Sequence, residues 1–176
     1  MVSWKNTLLA LSILACGGRS ELDSYDIPGT GVVGNSSGSV VQGDPTIFVG
    51  TWQCTAHVTG AFNDGPAPVS VTEQGQMTIT ANSDGSLSVT QENQDGSHDA
   101  CSTHRFNISG STASPVTGHT CTYVDSMGYT DTETIQSGSF TVSGSSGTLN
   151  TVTTVSSVGG FSGTDTLSGT CTRVSP

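Results

Sequence analysis

The sequence is short of charge, and shortest of positive charge. Only a tenth of its 176 residues are charged, four Lys or Arg against fourteen Asp or Glu, for a formal net charge of −10. A chain so poor in cations cannot neutralise a phosphate backbone, which excludes nucleic acid as a partner. Nor can a basic patch draw it to anionic lipid. Aromatic residues are scarce, and no apolar run is long enough to span a bilayer as a helix. No segment carries apolar residues at the 3.6-residue period of an amphipathic helix. The Cys-x-x-Cys pairs of a structural zinc site are missing, as is the dozen-residue loop of alternating oxygen ligands that holds calcium. No metal or cofactor is implied. Gly, Ser and Thr fill the space, a composition ordinary for exported β-proteins and for linkers.

The first residues are an export leader. Lys5 gives a positive start, Leu8 to Ala15 form an apolar stretch broken only by Ser12, and the stretch is too short to cross a membrane. It ends in Ile13-Leu14-Ala15-Cys16. This resembles the lipobox of bacterial lipoproteins. The resemblance implies cleavage between Ala15 and Cys16, acylation of Cys16 by palmitate-type chains, and a covalent tie to a membrane; two or more acyl chains anchor stably where one does not. Gly17, rather than Asp, follows the cysteine, which by the same resemblance points to the outer membrane of the cell envelope. The organisation expected is a leader at 1–15, a lipidated cysteine and flexible tether at 16–45, and a domain at 46–176. A tether of this Gly- and Ser-rich composition has a root-mean-square reach of roughly 30 Å. The string Gly34-Asn35-Ser36-Ser37-Gly38 inside it matches a hydrolase nucleophile elbow by letters only, because no strand enters and no helix leaves the serine.

From Thr46 the pattern becomes short alternating runs between turn residues. Strands are expected at 47–59, 68–80, 86–92, 98–108, 116–124, 129–142 (bulged or broken near Gly138), 148–157 and 161–174. The connections carry Gly, Asn and Asp, which supply positive φ. Period-two alternation puts Trp52, Cys54, Ala56 and Val58 on one face. It does the same for Val69, Val71, Glu73, Met77 and Ile79, for Leu87 and Val89, and for Phe161, Asp165, Leu167, Cys171 and Arg173. The fold expected is all-β, an antiparallel up-and-down meander of about eight strands closed into a barrel, since closure removes exposed edges. A β-sandwich is the alternative.

The domain opens on Gly50-Thr51-Trp52, and its last strand carries Arg173. A Gly-x-Trp on the first strand with a basic residue crossing the indole from the last resembles the lipocalins and the wider calycin barrels. That resemblance implies a lumen able to take a small apolar ligand, lined here by Val58, Val71, Glu73, Met77, Phe161, Asp165 and Leu167. The cysteines offer an independent check. Facing residues on antiparallel strands keep a constant sum of numbers, and Trp52–Arg173 and Cys54–Cys171 both give 225. One register therefore allows a cation–π contact and a disulfide on one face. Cys101 and Cys121 remain, flanking the turn at Gly110, to staple their own hairpin.

Chemistry beyond this is sparse. His57, His98, His104 and His119 lack the spacing that puts two imidazoles on one metal, although His98 and His104 share a strand face. Glu73 and Asp165, with Asp131 and Glu133, read as inward carboxylates that could act as an acid/base pair or line a wet barrel mouth. No nucleophile is linked to a base, so no catalytic residue is assigned. Three readings follow. The leading one is a membrane-tethered barrel that binds a small apolar ligand or an envelope component. The others are a structural or interaction module with a filled barrel, and a hydrolase or isomerase using the inward carboxylates.

Overall fold

Strand β1 shows why this Thr-rich sequence folds as it does. From Trp52 to Gly60 every even-numbered residue is buried and every odd one exposed, so a sheet with one wet face is the only arrangement that serves the pattern. The structure, a computed structural model, describes residues 43–63, 68–92, 101–124, 129–158 and 162–176. The leader, Cys16, the tether up to residue 42, His98 and Phe161 lie outside the described residues.

The strands are β1 (Gly50–Asn63), β2 (Val69–Ala81), β3 (Leu87–Glu92), β4 (Thr103–Ser109), β5 (Thr112–Pro115), β6 (Thr120–Val124), β7 (Thr130–Ser143), β8 (Ser146–Ser157) and β9 (Ser162–Ser175). They form one antiparallel sheet in the order β5-β4-β3-β2-β1-β9-β8-β7-β6, and a further pairing of β5 with β7 closes it. The result is an eight-stranded up-and-down barrel with one short extra strand, not a sandwich. First and last strands meet in the register of Trp52 with Arg173 and Cys54 with Cys171.

Two expectations are corrected. The strand expected at 116–124 begins only at Thr120, and a separate short strand, Thr112–Pro115, precedes it. Thr112 of β5 faces Thr141 and Thr120 of β6 faces Thr134, so both lie along the same side of β7. Pro115 ends the first piece, having no N–H to extend a ladder, and Gly118 turns the chain at φ +76° before the second. The bulge of β7 falls between Ile135 and Ser137, near Gly138 as expected. The packed chain also begins before Thr46. Asp44 caps a 3-10 turn (Pro45–Ile47), accepting from the Thr46 N–H at 2.9 Å and its hydroxyl at 2.7 Å, and Gly43 lies against Gly110 and Ile108.

That turn seals one end of the barrel. It places the Phe48 carbonyl 2.8 Å from the Trp52 indole N–H, satisfying a donor that is fully buried. Phe140 meets Trp52 edge-on at 5.1 Å, Phe48 lies 6.3 Å from Phe140, and Arg173 covers the indole. Ile79, Leu87, Val89, Ile108, Ala113, Val142 and Leu149 complete this apolar half. Gly147 makes room for it: a Cβ there would come within 2.4 Å of the Phe140 ring.

Candidate functional site

The opposite half of the lumen differs in kind. At the sealed end the connections are tight turns around Asn82–Ser86, Gly110 and Gly144. The other end, where Asn63, Glu92, Val124 and Ser157 end their strands, is the mouth; 64–67, 93–100, 125–128 and 159–161 lie outside the described residues. Towards that end the inner wall turns polar. Asp131, Glu133, Thr153 and Asp165 are buried, and Tyr123 donates its hydroxyl to Glu133 Oε1 at 3.1 Å. The parity of each strand puts these groups inside, because the alternate Thr and Ser face water.

Two small cavities occupy this region, each about 30 Å³, room for one or two water molecules. Gln91 lines both. The first is bounded by His104, His119, Glu133, Thr151, Thr153 and the Cys101–Cys121 disulfide. The second is more apolar, bounded by Cys54, Ala56, Glu73, Met77, Leu149 and Leu167.

The disulfides sit at the two places where the wall is joined. Cys54–Cys171 links β1 to β9 inside the lumen, with 4.0 Å between Cα atoms and the cysteines 117 positions apart in sequence. Cys101–Cys121 spans 20 residues. It does not staple a simple hairpin as expected: Cys101 precedes β4, Cys121 lies in β6, and β5 intervenes. No ladder joins β4 to β6 among the described residues, so the covalent bridge closes the wall where backbone pairing lapses.

Burial sets the electrostatics. His104 and His119 meet edge-on at 5.9 Å. Burial, and then the charge of His119, push the His104 pKa down to about 4, which leaves its ring neutral near pH 7. Burial alone pushes Asp165 up to about 6. The two described arginines are elsewhere: Arg173 lies over Trp52 and donates to the Ile47 carbonyl, and Arg105 pairs with Asp84 on the outer surface. Among the described residues no three His, Cys, Asp or Glu side chains are grouped to hold a metal ion, and no helix is long and apolar enough to cross a membrane.

The residues singled out in the sequence are placed as follows. Val58, Met77 and Leu167 are buried on the inner wall, Val71 packs on the core, Glu73 is half-buried at the second cavity and Asp165 is buried. Gly50 has φ +127°, and a Cβ there would strike the Ser175 carbonyl at 2.3 Å, so only glycine fits beside the last strand. Sequence reasoning set His104 and His119 aside for want of a metal-ligand spacing and did not single out Gln91 or Tyr123. His104 shares parity with Phe106 and Ile108, a usable signal; His119 lies between β5 and β6, where no periodicity exists.

No protein-family profile matches the chain and no curated protein is similar to it in sequence. Among solved structures it is similar to the ywiB protein from Bacillus subtilis, with 14% identity over 70% of this chain and 92% of that one, at a TM-score of 0.35.

Proposed function

We propose that the chain is an exported lipoprotein, tied to the outer membrane of a bacterial envelope through acyl chains on Cys16, whose barrel is a binding module for a small polar ligand. The observation that carries the binding reading is the asymmetry of the lumen. One end is sealed by Phe48, Trp52, Phe140 and Arg173, while the other half holds polar side chains and two cavities. Ligand sites are concave with a few convergent polar groups, and drug-sized ligands occupy about 300–1,000 Å³. These two cavities, each about 30 Å³, fall below that range, and Gln91, His104, His119, Glu133 and Thr153 around the first of them support a smaller, polar ligand over the apolar one implied by the lipocalin resemblance. The anchor rests on Ile13-Leu14-Ala15-Cys16 and on the absence of any basic patch.

Native mass spectrometry of the chain purified from its own envelope tests the binding reading: a bound mass of a few heavy atoms is expected. Palmitate labelling of wild type against Cys16→Ala tests the anchor, and equal labelling would remove it. A second reading, a structural or protein-interaction module with a filled lumen, is favoured by the small size of the cavities. On that reading nothing co-purifies inside the barrel.

A further inference from the structure

The first cavity is ringed by side chains that the sequence scatters. Cys101, His104, His119 and Cys121 all line it. Two come from the run that enters β4 and two from the run that enters β6, with β5 between them in sequence. Parity puts them on one side of the wall: His104 shares its face with the buried Phe106 and Ile108, and Cys121 with the buried Tyr123. The cavity, about 30 Å³, has room for one or two waters, and so for a single metal ion.

Two cysteines and two histidines are a zinc ligand set, and here oxidation masks it. With the Cys101 and Cys121 sulfurs bonded to each other, neither is a thiolate, the form that ligates metal. Two imidazoles remain, and among the described residues no group of three donors exists. The imidazoles already stand near a zinc geometry. A tetrahedral zinc about 2.0–2.1 Å from one nitrogen of each ring holds the ring centroids on the order of 5 Å apart; here they are 5.9 Å apart. His104 Nδ1 is buried with no hydrogen-bond partner, so it can ligate without giving up a bond. His119 is exposed, which lets its ring turn to the metal from outside. The sulfurs must separate to about 3.8 Å, the edge of a tetrahedron with Zn–S bonds of about 2.3 Å. The wall permits this, because no ladder joins β4 to β6 among the described residues and the two Cα atoms lie 5.7 Å apart. No histidine lines the second cavity, where Cys54 of the other bridge stands.

We infer that reduction of the Cys101–Cys121 bridge turns the first cavity into a zinc site, with both thiolates and both imidazoles as its ligands. The reductant is a dithiol. One of its sulfurs attacks the bridge to form a mixed disulfide, and the other then closes the reagent's own disulfide. Two electrons and two protons pass to the cysteines. Zinc takes the sulfurs as thiolates and releases those two protons. The metal then replaces the lost bridge as the clip between β4 and β6, where backbone pairing lapses. The site does not depend on a ligand filling the oxidised barrel, so it stands whether or not the binding reading does.

The test uses the full-length chain in detergent, oxidised and after reduction by a phosphine, which does not compete for the metal as a dithiol does. Cobalt(II) serves as the spectroscopic probe for zinc. The reduced protein should bind one cobalt per chain, with the strong visible bands of tetrahedral coordination and a sulfur-to-metal charge-transfer band. The oxidised protein should show neither, and zinc should displace the cobalt. His119→Ala and Cys121→Ser should each weaken cobalt binding at least tenfold. In the reduced wild type, zinc should slow alkylation of Cys101 and Cys121 at least tenfold, as mapped by peptide mass, and leave the rates at Cys54 and Cys171 unchanged. This readout decides the matter even where a variant fails to fold. Reduced protein that takes up no cobalt, His119→Ala binding as tightly as wild type, or zinc that protects Cys54 and Cys171 instead, overturns the inference.

Discussion

The guanidinium carbon of Arg173 lies 4.6 Å from the centroid of the Trp52 indole, and the two residues face each other across the β1–β9 ladder. Arg173 also donates to the carbonyl of Ile47, in the turn that seals the barrel. The planar cation thus joins three segments: first strand, last strand and N-terminal turn. Lysine can supply charge but neither the stacking plane nor the fork of donors. Arg173→Lys should therefore cost about 1 kcal/mol, within the 0.5–2 kcal/mol span of cation–π contacts. Thermal melting should show this as a loss of about 4 °C for a domain of this size. A melting temperature equal to wild type would mean that the indole is held by Phe48 and Phe140 alone.

The two bridges should behave differently when removed. In the chain-entropy model a loop of 117 residues is worth about 5 kcal/mol and one of 20 residues about 3 kcal/mol. Location argues for a second difference. Cys54–Cys171 lies within a ladder running from Thr51 to Asn63, so the strands stay paired without it. Cys101–Cys121 spans the place where β4 and β6 have no ladder. Cys54→Ala/Cys171→Ala should lower the global melting temperature while leaving the pattern of amide protection unchanged. Cys101→Ala/Cys121→Ala should speed hydrogen exchange locally in β4 and β6. Uniform loss of protection in the second variant would show that the bridge supports the whole barrel rather than its seam.

Much of this architecture could be read in advance, and for a definite reason. Where one face of a strand is buried, a period of two fixes parity, and a single register then aligned Trp52 with Arg173 and Cys54 with Cys171. The same parity pointed Glu73, Asp131, Glu133 and Asp165 inward. It failed at 116–119, where Gly118 turns the chain, and it gave no strand to Thr112–Pro115, a short run held by pairing with β4 and β7. It could not bring His119 to His104, since their contact depends on β5 and β6 sharing one line along β7. The Asp44 cap was hidden by its setting: a lone Asp-Pro at the end of a Gly- and Ser-rich segment resembles linker until Trp52 needs the Phe48 carbonyl.

Glycines on the inner wall offer a further check on packing. Gly147 lies under the Phe140 ring, which Trp52 and Phe48 hold from the other side. With nowhere for the ring to move, Gly147→Ala should cost about 1–3 kcal/mol, the usual range for overpacking. Gly144 makes the opposite control. It sits at φ +63°, and a Cβ there would meet nothing within 4 Å; asparagine tolerates that conformation. Gly144→Asn should stay within about 0.5 kcal/mol of wild type. Equal losses in chemical denaturation would mean that Phe140 can swing aside and that the sealed end is less tightly filled than its contacts imply.

The last prediction concerns pH, because two buried groups in the mouth half oppose each other. Asp165 has a folded pKa of about 6 against an ordinary value of 3.8. Between those values the native state binds more protons than the unfolded state, so this group makes stability fall as pH rises. His104 has a folded pKa of about 4 against an ordinary 6.5. There the unfolded state binds more protons, so stability rises with pH over almost the same window. At 1.36 kcal/mol per pKa unit each effect is on the order of 3 kcal/mol, and the two nearly cancel between pH 4 and 6. Asp165→Asn removes one slope. The difference in melting temperature between this variant and wild type should grow in the variant's favour from pH 4 to pH 7. His104→Gln removes the other, and relative to wild type it should be most stabilised at pH 4 and lose that advantage by pH 7. Reading each variant as a difference from wild type takes out the exposed carboxylates, which titrate alike in all three proteins. Difference curves that stay flat across this range would mean that neither Asp165 nor His104 is buried as a charged group must be to matter, and that the mouth half of the barrel is filled with water rather than sealed from it.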